Sequence, residues 1–320
     1  MKNTDGKKRK LIIFIAAAAI VAAGIAAAII FGGGAYREHI KNKVLSYEQE
    51  TDENGIAVDM SDNPYFASKQ PGYFYRNPKV IRYYSGVTDT NRHATVILPN
   101  DYDENKEYPV LYLLHGLDGS HRTWINKDAD IIIHNLNYFY DVPDMIVVLP
   151  NSEVNEKEDA DNLPIEERIE VYDKTEEDLV NYLMPYIEEN YPVKKGRENT
   201  AIAGNSMGGR NTMYIAFKHQ DMFGYVGVFS AASVLEGESR QSVMKPLLED
   251  LVIDRKYGGF NLLMLCVGRQ DDVCGWVTYD LDEIMREKNI DHIFYDVEGG
   301  HQNTVWQNAL YNFGRRLFTE

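Results

Sequence analysis

Between residues 110 and 299 six short apolar runs recur: VLYLLHG (110–116), MIVVLPN (145–151), TAIAGNS (200–206), YVGVFSA (225–231), NLLMLCVG (261–268) and HIFYDVEG (292–299). Each is strand-sized, and consecutive apolar positions need cover on both faces of a sheet. Residues 175–190, 206–219, 279–288 and 303–317 instead carry helical spacing. In the first of these Leu179, Tyr182, Leu183, Tyr186 and Ile187 share one face. Thr175 stands three residues before Asp178, as in a capping box. Strands alternating with helices predict an α/β fold, a mostly parallel central sheet with helices on both faces. Upstream, VIRYYSG (80–86) and HATVILP (93–99) predict an antiparallel hairpin.

The chain starts differently. MKNTDGKKRK is basic, and Leu11 to Phe31 runs without a charge. Those 21 residues would span roughly 31 Å as a helix, the thickness of a bilayer's hydrocarbon core. A transmembrane anchor or a cleaved signal with a small-residue site near Ala26–Ala28 is expected over 1–35. Lys7, Lys8, Arg9 and Lys10 would stay cytoplasmic and send the body outside. The expected products are a membrane-tethered extracytoplasmic protein or, after cleavage, a secreted one. Residues 36–71 are polar and read as a stalk, which leaves 72–320 as the folded domain.

The chain carries −16 overall. Residues 1–35 hold five basic residues and one acidic, so residues 36–320 carry −20. Such a surface repels nucleic acid and anionic headgroups, so no nucleic-acid partner is expected and membrane contact is confined to the N-terminal helix. The charge by itself needs no more than solubility to explain it. Two cysteines, Cys266 and Cys274, match no zinc spacing, and no metal or organic cofactor is expected. Cys266 ends an apolar run and reads as a buried thiol; a Cys266–Cys274 disulfide is the alternative. Oligomeric state is not legible.

One serine stands apart. In AIAGNSMGGRNTMYIAF (201–217), Ser206 sits between Gly204 and Gly208-Gly209 at the junction of a strand and a helix. G-x-S-x-G at such a junction describes a sharp turn that exposes a nucleophilic hydroxyl; in α/β-hydrolases the acid and then the base follow in the chain. Downstream, the run ending at Gly268 is followed by Asp271, and Gly299-Gly300 by His301. His219 and His292, the other histidines beyond Ser206, fall inside a helix and at the start of a strand. Asp272 competes with Asp271 as the acid. A serine hydroxyl needs a base to take its proton, and the base needs a carboxylate to hold its tautomer. Oxyanion donors are expected from the backbone N–H of Met207 and from Leu117 in YLLHGLDGSHRTW (112–124). His115 is expected to shape that loop, and Trp124 and Trp306 to pack. The charged segment 151–173 reads as a surface loop near the cleft entrance.

YLLHGLDGSHRTW, GNSMGG, VGRQD and EGGH, in that order, resemble the esterase D-type putative esterase family over residues 72–320. That family includes the feruloyl and acetylxylan esterases of carbohydrate esterase family one. The resemblance implies an α/β-hydrolase fold, a Ser206–His301–Asp271 triad and an oxyanion hole at Leu117 and Met207. It also implies an ester substrate, small or polysaccharide-linked. Relatives often carry an aromatic residue soon after the histidine, where Gln302-Asn303 follow here, and the acidic segment 151–173 has no clear counterpart. Mycolyltransferase-like acyl transfer, siderophore hydrolysis and a non-catalytic surface module are the alternatives, and cytosolic S-formylglutathione hydrolysis fits less well with an export signal.

Overall fold

The computed structural model describes residues 33–46, 50–52, 55–59, 65–160, 162–232 and 251–319. The basic N-terminus and the apolar run Leu11–Phe31 lie outside them. Among the described residues no helix is long and apolar enough to cross a membrane.

The apolar runs are strands of one eight-stranded sheet. In chain order they are β3 (Lys79–Ser85), β4 (Thr90–Ile97), β5 (Val110–Leu114), β6 (Ile146–Pro150), β7 (Thr200–Asn205), β8 (Tyr225–Phe229), β9 (Leu262–Gly268) and β10 (Ile293–Val297). They lie in the order β10-β9-β8-β7-β5-β6-β4-β3. The five pairings from β10 to β6 are parallel, while β4 runs antiparallel to both β6 and β3. The sheet is therefore mixed, with the expected hairpin at one edge, and the architecture is α/β-hydrolase-like.

Helices cover both faces because each strand splits its apolar residues by parity. Tyr112 and Leu114 of β5 point into one core with Ile202, Val226 and Val228. Leu111 and Leu113 point into the other with Ala201, Ala203 and Met264. On that second side lie α1 (Ala129–Tyr140), through Ile132 and Leu136, and α7 (Asn303–Gly314), through Ala309, Leu310 and Phe313. The first side is closed by α5 (Met207–Lys218), α6 (Gly275–Glu287) and the helical stretch after Lys174. That stretch is α3 (Thr175–Asp178), a π-helical turn (Leu179–Leu183) and α4 (Met184–Asn190). Leu179, Leu183 and Ile187 are fully buried on it, while Tyr182 and Tyr186 are half-buried at its margin. Thr175 does not cap this stretch: its hydroxyl donates to Ser152 O at 3.1 Å.

Two expectations change. Residues 36–71 are not one irregular stalk. Residues 33–45 are helical, and with residues 70–74 they form a small unit in which Arg37 Nε donates to Gly72 O at 2.8 Å. Residues 50–52, 55–59 and 65–69 belong instead to the sheet unit. There Ile56 and Ala57 are fully buried, and Asn312 Oδ1 accepts from Ala57 N at 2.9 Å. β1 (Glu50–Thr51) and β2 (Ala57–Asp59) pair there as a minimal hairpin.

The segment 151–173 also departs from a surface loop. It ends in α2 (Ile165–Asp173), with Val171, Tyr172 and Asp173 buried, and its start is pinned from inside. Arg92 of β4, fully buried, donates to Asn151 O at 2.6 Å and to Glu153 O and Asn155 O at 3.1 Å. Its Nε lies 3.2 Å from Asp178 Oδ2. Charge alone did not prevent burial, because the buried acids of the segment meet partners: Asp173 pairs with Arg210 at 2.8 Å, and Glu153 Oε2 accepts from Ala160 N at 3.0 Å.

Candidate active site

β7 runs into α5 through Ser206, whose φ of 55° and ψ of −121° lie where a side chain is strained. The neighbouring glycines permit the turn. A Cβ on Gly208 would meet Leu114 O at 2.5 Å and His115 O at 2.6 Å. Ser206 N donates to Phe229 O at 3.0 Å, and Ser206 O accepts from Ala232 N at 3.0 Å, which ties the turn to the end of β8.

Two further strand-end loops reach the hydroxyl. His301, on the loop between β10 and α7, places Nε2 3.0 Å from Ser206 Oγ. Its Nδ1 lies 2.8 Å from Oδ2 of Asp271, on the loop between β9 and α6. The other carboxylate oxygen of Asp271 accepts the N–H groups of Val273 and Cys274, both at 3.1 Å. Burial pushes the Asp271 carboxyl up, but the hydrogen bonds from His301 and Cys274 outweigh it and hold the group below its ordinary value. An ionised Asp271 keeps the imidazole proton on Nδ1. Nε2 is then free to accept the serine proton, and this is the arrangement that activates a hydroxyl.

Asp272, the competing acid, is exposed and its neighbour Asp271 takes the contact. His219 and His292 are engaged elsewhere, with Glu176 at 2.6 Å and Asp282 at 2.9 Å. Cys266 and Cys274 are free and buried, so the alternative disulfide is not formed. Burial pushes both thiols up to about 12.

Met207 is the first residue of α5, and the N–H of that position has no intrahelical acceptor. Leu117 is half-buried on the loop after β5. This loop is braced from below. Ser152 N donates to His115 Nε2 at 2.9 Å, so the imidazole proton lies on Nδ1, which donates to Gly116 O at 2.7 Å. Burial pushes His115 down to about 4, which keeps it neutral. Tyr172 adds a second brace, donating its hydroxyl to Gly116 O at 3.0 Å, while Arg168 of α2 pairs with Asp118. Neither Tyr172 nor Arg168 was singled out from sequence, since nothing local marks a residue that braces a loop some fifty positions away. Trp124 packs fully buried with Nε1 donating to Leu114 O at 2.9 Å. Trp306 packs its ring edge-on to His301 at 5.0 Å. A separate hollow of about 840 Å³ opens at the N-terminal ends of the strands, among Lys106, Tyr108, Lys194 and Phe318, and among the described residues no serine, histidine or cysteine lines it.

With this geometry in view, comparisons with known proteins fall in one direction. Residues 85–317 match a family model described as "Putative esterase". An acetyl esterase of Caldicellulosiruptor saccharolyticus is 24% identical over 268 residues, covering 72% of this chain and 94% of its own length. An endo-1,4-beta-xylanase/feruloyl esterase of Xylanibacter ruminicola is 29% identical over 194 residues, covering 58% of this chain. The match spans only 26% of that longer protein. Among solved structures, a ferulic acid esterase of carbohydrate esterase family one from Anaeromyces mucronatus superposes with a TM-score of 0.75 at 32% identity. It covers 82% of this chain and 98% of its own. The same fungal enzyme in complex with ferulic acid gives a TM-score of 0.72 at 34% identity over 80% of this chain and 95% of that one.

Proposed function

The chain belongs to the Putative esterase family, and from that premise we propose that it is a serine carboxylesterase with Ser206 as nucleophile, His301 as base and Asp271 as the orienting acid. One observation carries the assignment: His301 bridges a hydroxyl at 3.0 Å and a carboxylate at 2.8 Å, drawn from three separate strand ends.

In this reading Ser206 Oγ attacks the ester carbonyl while His301 Nε2 takes its proton. The imidazolium is held by Asp271, and the developing oxyanion is met by the N–H groups of Met207 and Leu117. His301 then returns the proton to the departing alcohol, leaving an acyl-Ser206. A water molecule deprotonated by His301 releases the acid and restores the serine.

The natural ester is proposed to be feruloyl or acetyl, carried on plant cell-wall polysaccharide, a reading supported by what the similar proteins act on. Export, with tethering through Leu11–Phe31, is part of the same proposal and rests on that sequence alone.

The test compares wild type with Ser206→Ala on p-nitrophenyl acetate, methyl ferulate and acetylated xylan. The expected result is turnover of at least one ester and a loss of about a thousandfold or more in kcat for the variant. Equal inertness of two folded proteins would reject ester hydrolysis. Product appearing on an added alcohol in place of water would make the chain an acyltransferase.

A further inference from the structure

The acid–base pair has a third donor beside it that ester hydrolysis does not use. Cys274 Sγ lies 3.6 Å from His301 Nδ1, the same nitrogen that faces Asp271 Oδ2 at 2.8 Å. One sulfur, one nitrogen and one oxygen thus lie within 4.8 Å of one another.

The sulfur–nitrogen edge is already that of a metal's ligands, and the carboxylate oxygen lies within reach of both. A tetrahedral zinc ion separates its sulfur and nitrogen ligands by about 3.5 Å and its nitrogen and oxygen ligands by about 3.4 Å. The sulfur–nitrogen edge therefore already has its length. The carboxylate oxygen would need to swing away from Nδ1 by roughly half an ångström and toward the sulfur, since a tetrahedral ion separates sulfur and oxygen by about 3.6 Å, inside the 4.8 Å that bounds the three atoms here. The scaffold is also set: Asp271 Oδ1 is occupied by the N–H groups of Val273 and Cys274, which leaves Oδ2 to turn toward an ion.

We propose that Cys274 Sγ, His301 Nδ1 and Asp271 Oδ2 form an inhibitory site for a thiophilic divalent cation, zinc or cadmium. The inhibition rests on the triad reading above; the binding does not. When the ion enters, the thiol gives its proton to solvent and the thiolate binds. The Nδ1 lone pair binds beside it, so the proton that Nδ1 carried moves to Nε2. A neutral imidazole metallated at Nδ1 presents an N–H to Ser206 Oγ and has no lone pair left to take the serine proton. One proton leaves the protein for each ion bound, no electron is transferred, and the base is disabled. Water, or Ser230 O, which the Cys274 thiol reaches at 3.4 Å, completes the coordination. A sulfur–imidazole–carboxylate set favours zinc and cadmium over magnesium and calcium.

The experiment titrates cadmium into the purified full chain. Binding is read from the ultraviolet sulfur-to-cadmium charge-transfer band, and inhibition from p-nitrophenyl acetate hydrolysis. The expected result is a saturable band and a loss of activity with the same midpoint, both reversed by a chelator and neither produced by magnesium. Cys266→Ala keeps the band. Cys274→Ser loses it, and its inhibition midpoint, measured against its own metal-free rate, moves to at least about tenfold more metal. Cys274→Ala serves the same comparison if the serine variant does not fold. Equal inhibition of wild type and the Cys274 variants overturns the site, as does the absence of any band in wild type. A band without any esterase activity to inhibit would leave the metal site standing and sink the esterase reading.

Discussion

Arg210, one helical turn beyond Ser206, pairs with Asp173 at 2.8 Å, and the two side chains are 4% and 2% exposed. The bond joins the helix that begins at the strained serine to the end of the acidic segment. Asn211 adds to it by donating to Tyr172 O at 3.0 Å. Tyr172 in turn braces Gly116, so the serine turn and the loop facing it are held by one buried polar network.

Breaking that pair from one side should be costly. Asp173→Ala leaves the guanidinium buried without its carboxylate and is expected to lower stability by about 3–5 kcal/mol. The double replacement Asp173→Leu with Arg210→Met should lose markedly less. Urea unfolding of the three proteins checks this, and equal losses for single and double variants would contradict it.

The two neighbouring aspartates should separate cleanly. Asp271→Asn removes the acceptor that holds the His301 proton on Nδ1 and is expected to lower kcat by about 10³–10⁴-fold. Asp272→Asn, on an exposed carboxylate, should stay within about twofold of wild type. The measurement is kcat on p-nitrophenyl acetate, and a comparable loss in both would remove Asp271 from its assigned role.

The residues that converge on Ser206 were legible because strand-end chemistry leaves local marks: glycines flank the serine, and an apolar run stops just before Asp271 and His301. Alternating apolar runs and helical spacing likewise carried the parallel part of the sheet. What stayed hidden depends on distant partners. Arg92 meets Asn151 across 59 positions, and Ala57 meets Asn312 across 255. A count of charges between 151 and 173 cannot tell which of them are paired in the interior, so that segment read as solvated when its ends are packed. A polar stretch such as 36–71 hides buried residues, Ile56 and Ala57 among them, for the same reason.

The close approach at Gly208 yields another expectation. In Gly208→Ala the new methyl would press on two carbonyl oxygens of β5 and the loop after it, so α5 must shift away from Leu114 and His115. Overpacking of this kind costs about 1–3 kcal/mol. The shift also moves the Met207 N–H, so kcat should fall more than KM changes. Steady-state kinetics beside thermal unfolding tests this, and a variant with wild-type kcat would show that the turn tolerates a Cβ.

His115 supplies a pH dependence whose direction follows from its burial. Above its ordinary value of about 6.5 the imidazole is neutral whether the chain is folded or not. As pH falls from there toward about 4, the unfolded chain takes up a proton that the folded one refuses. The unfolded state then binds more protons, so stability falls as pH falls across this window. Over two and a half pH units the loss amounts to about 3 kcal/mol from this one residue. His115→Asn does not titrate, although its amide N–H still offers a donor to Gly116 O. It should start less stable near neutral pH and lose less between pH 6.5 and 4 than wild type does. Unfolding free energies measured in parallel across that range decide it, and identical slopes would mean that the buried imidazole finds its proton without cost.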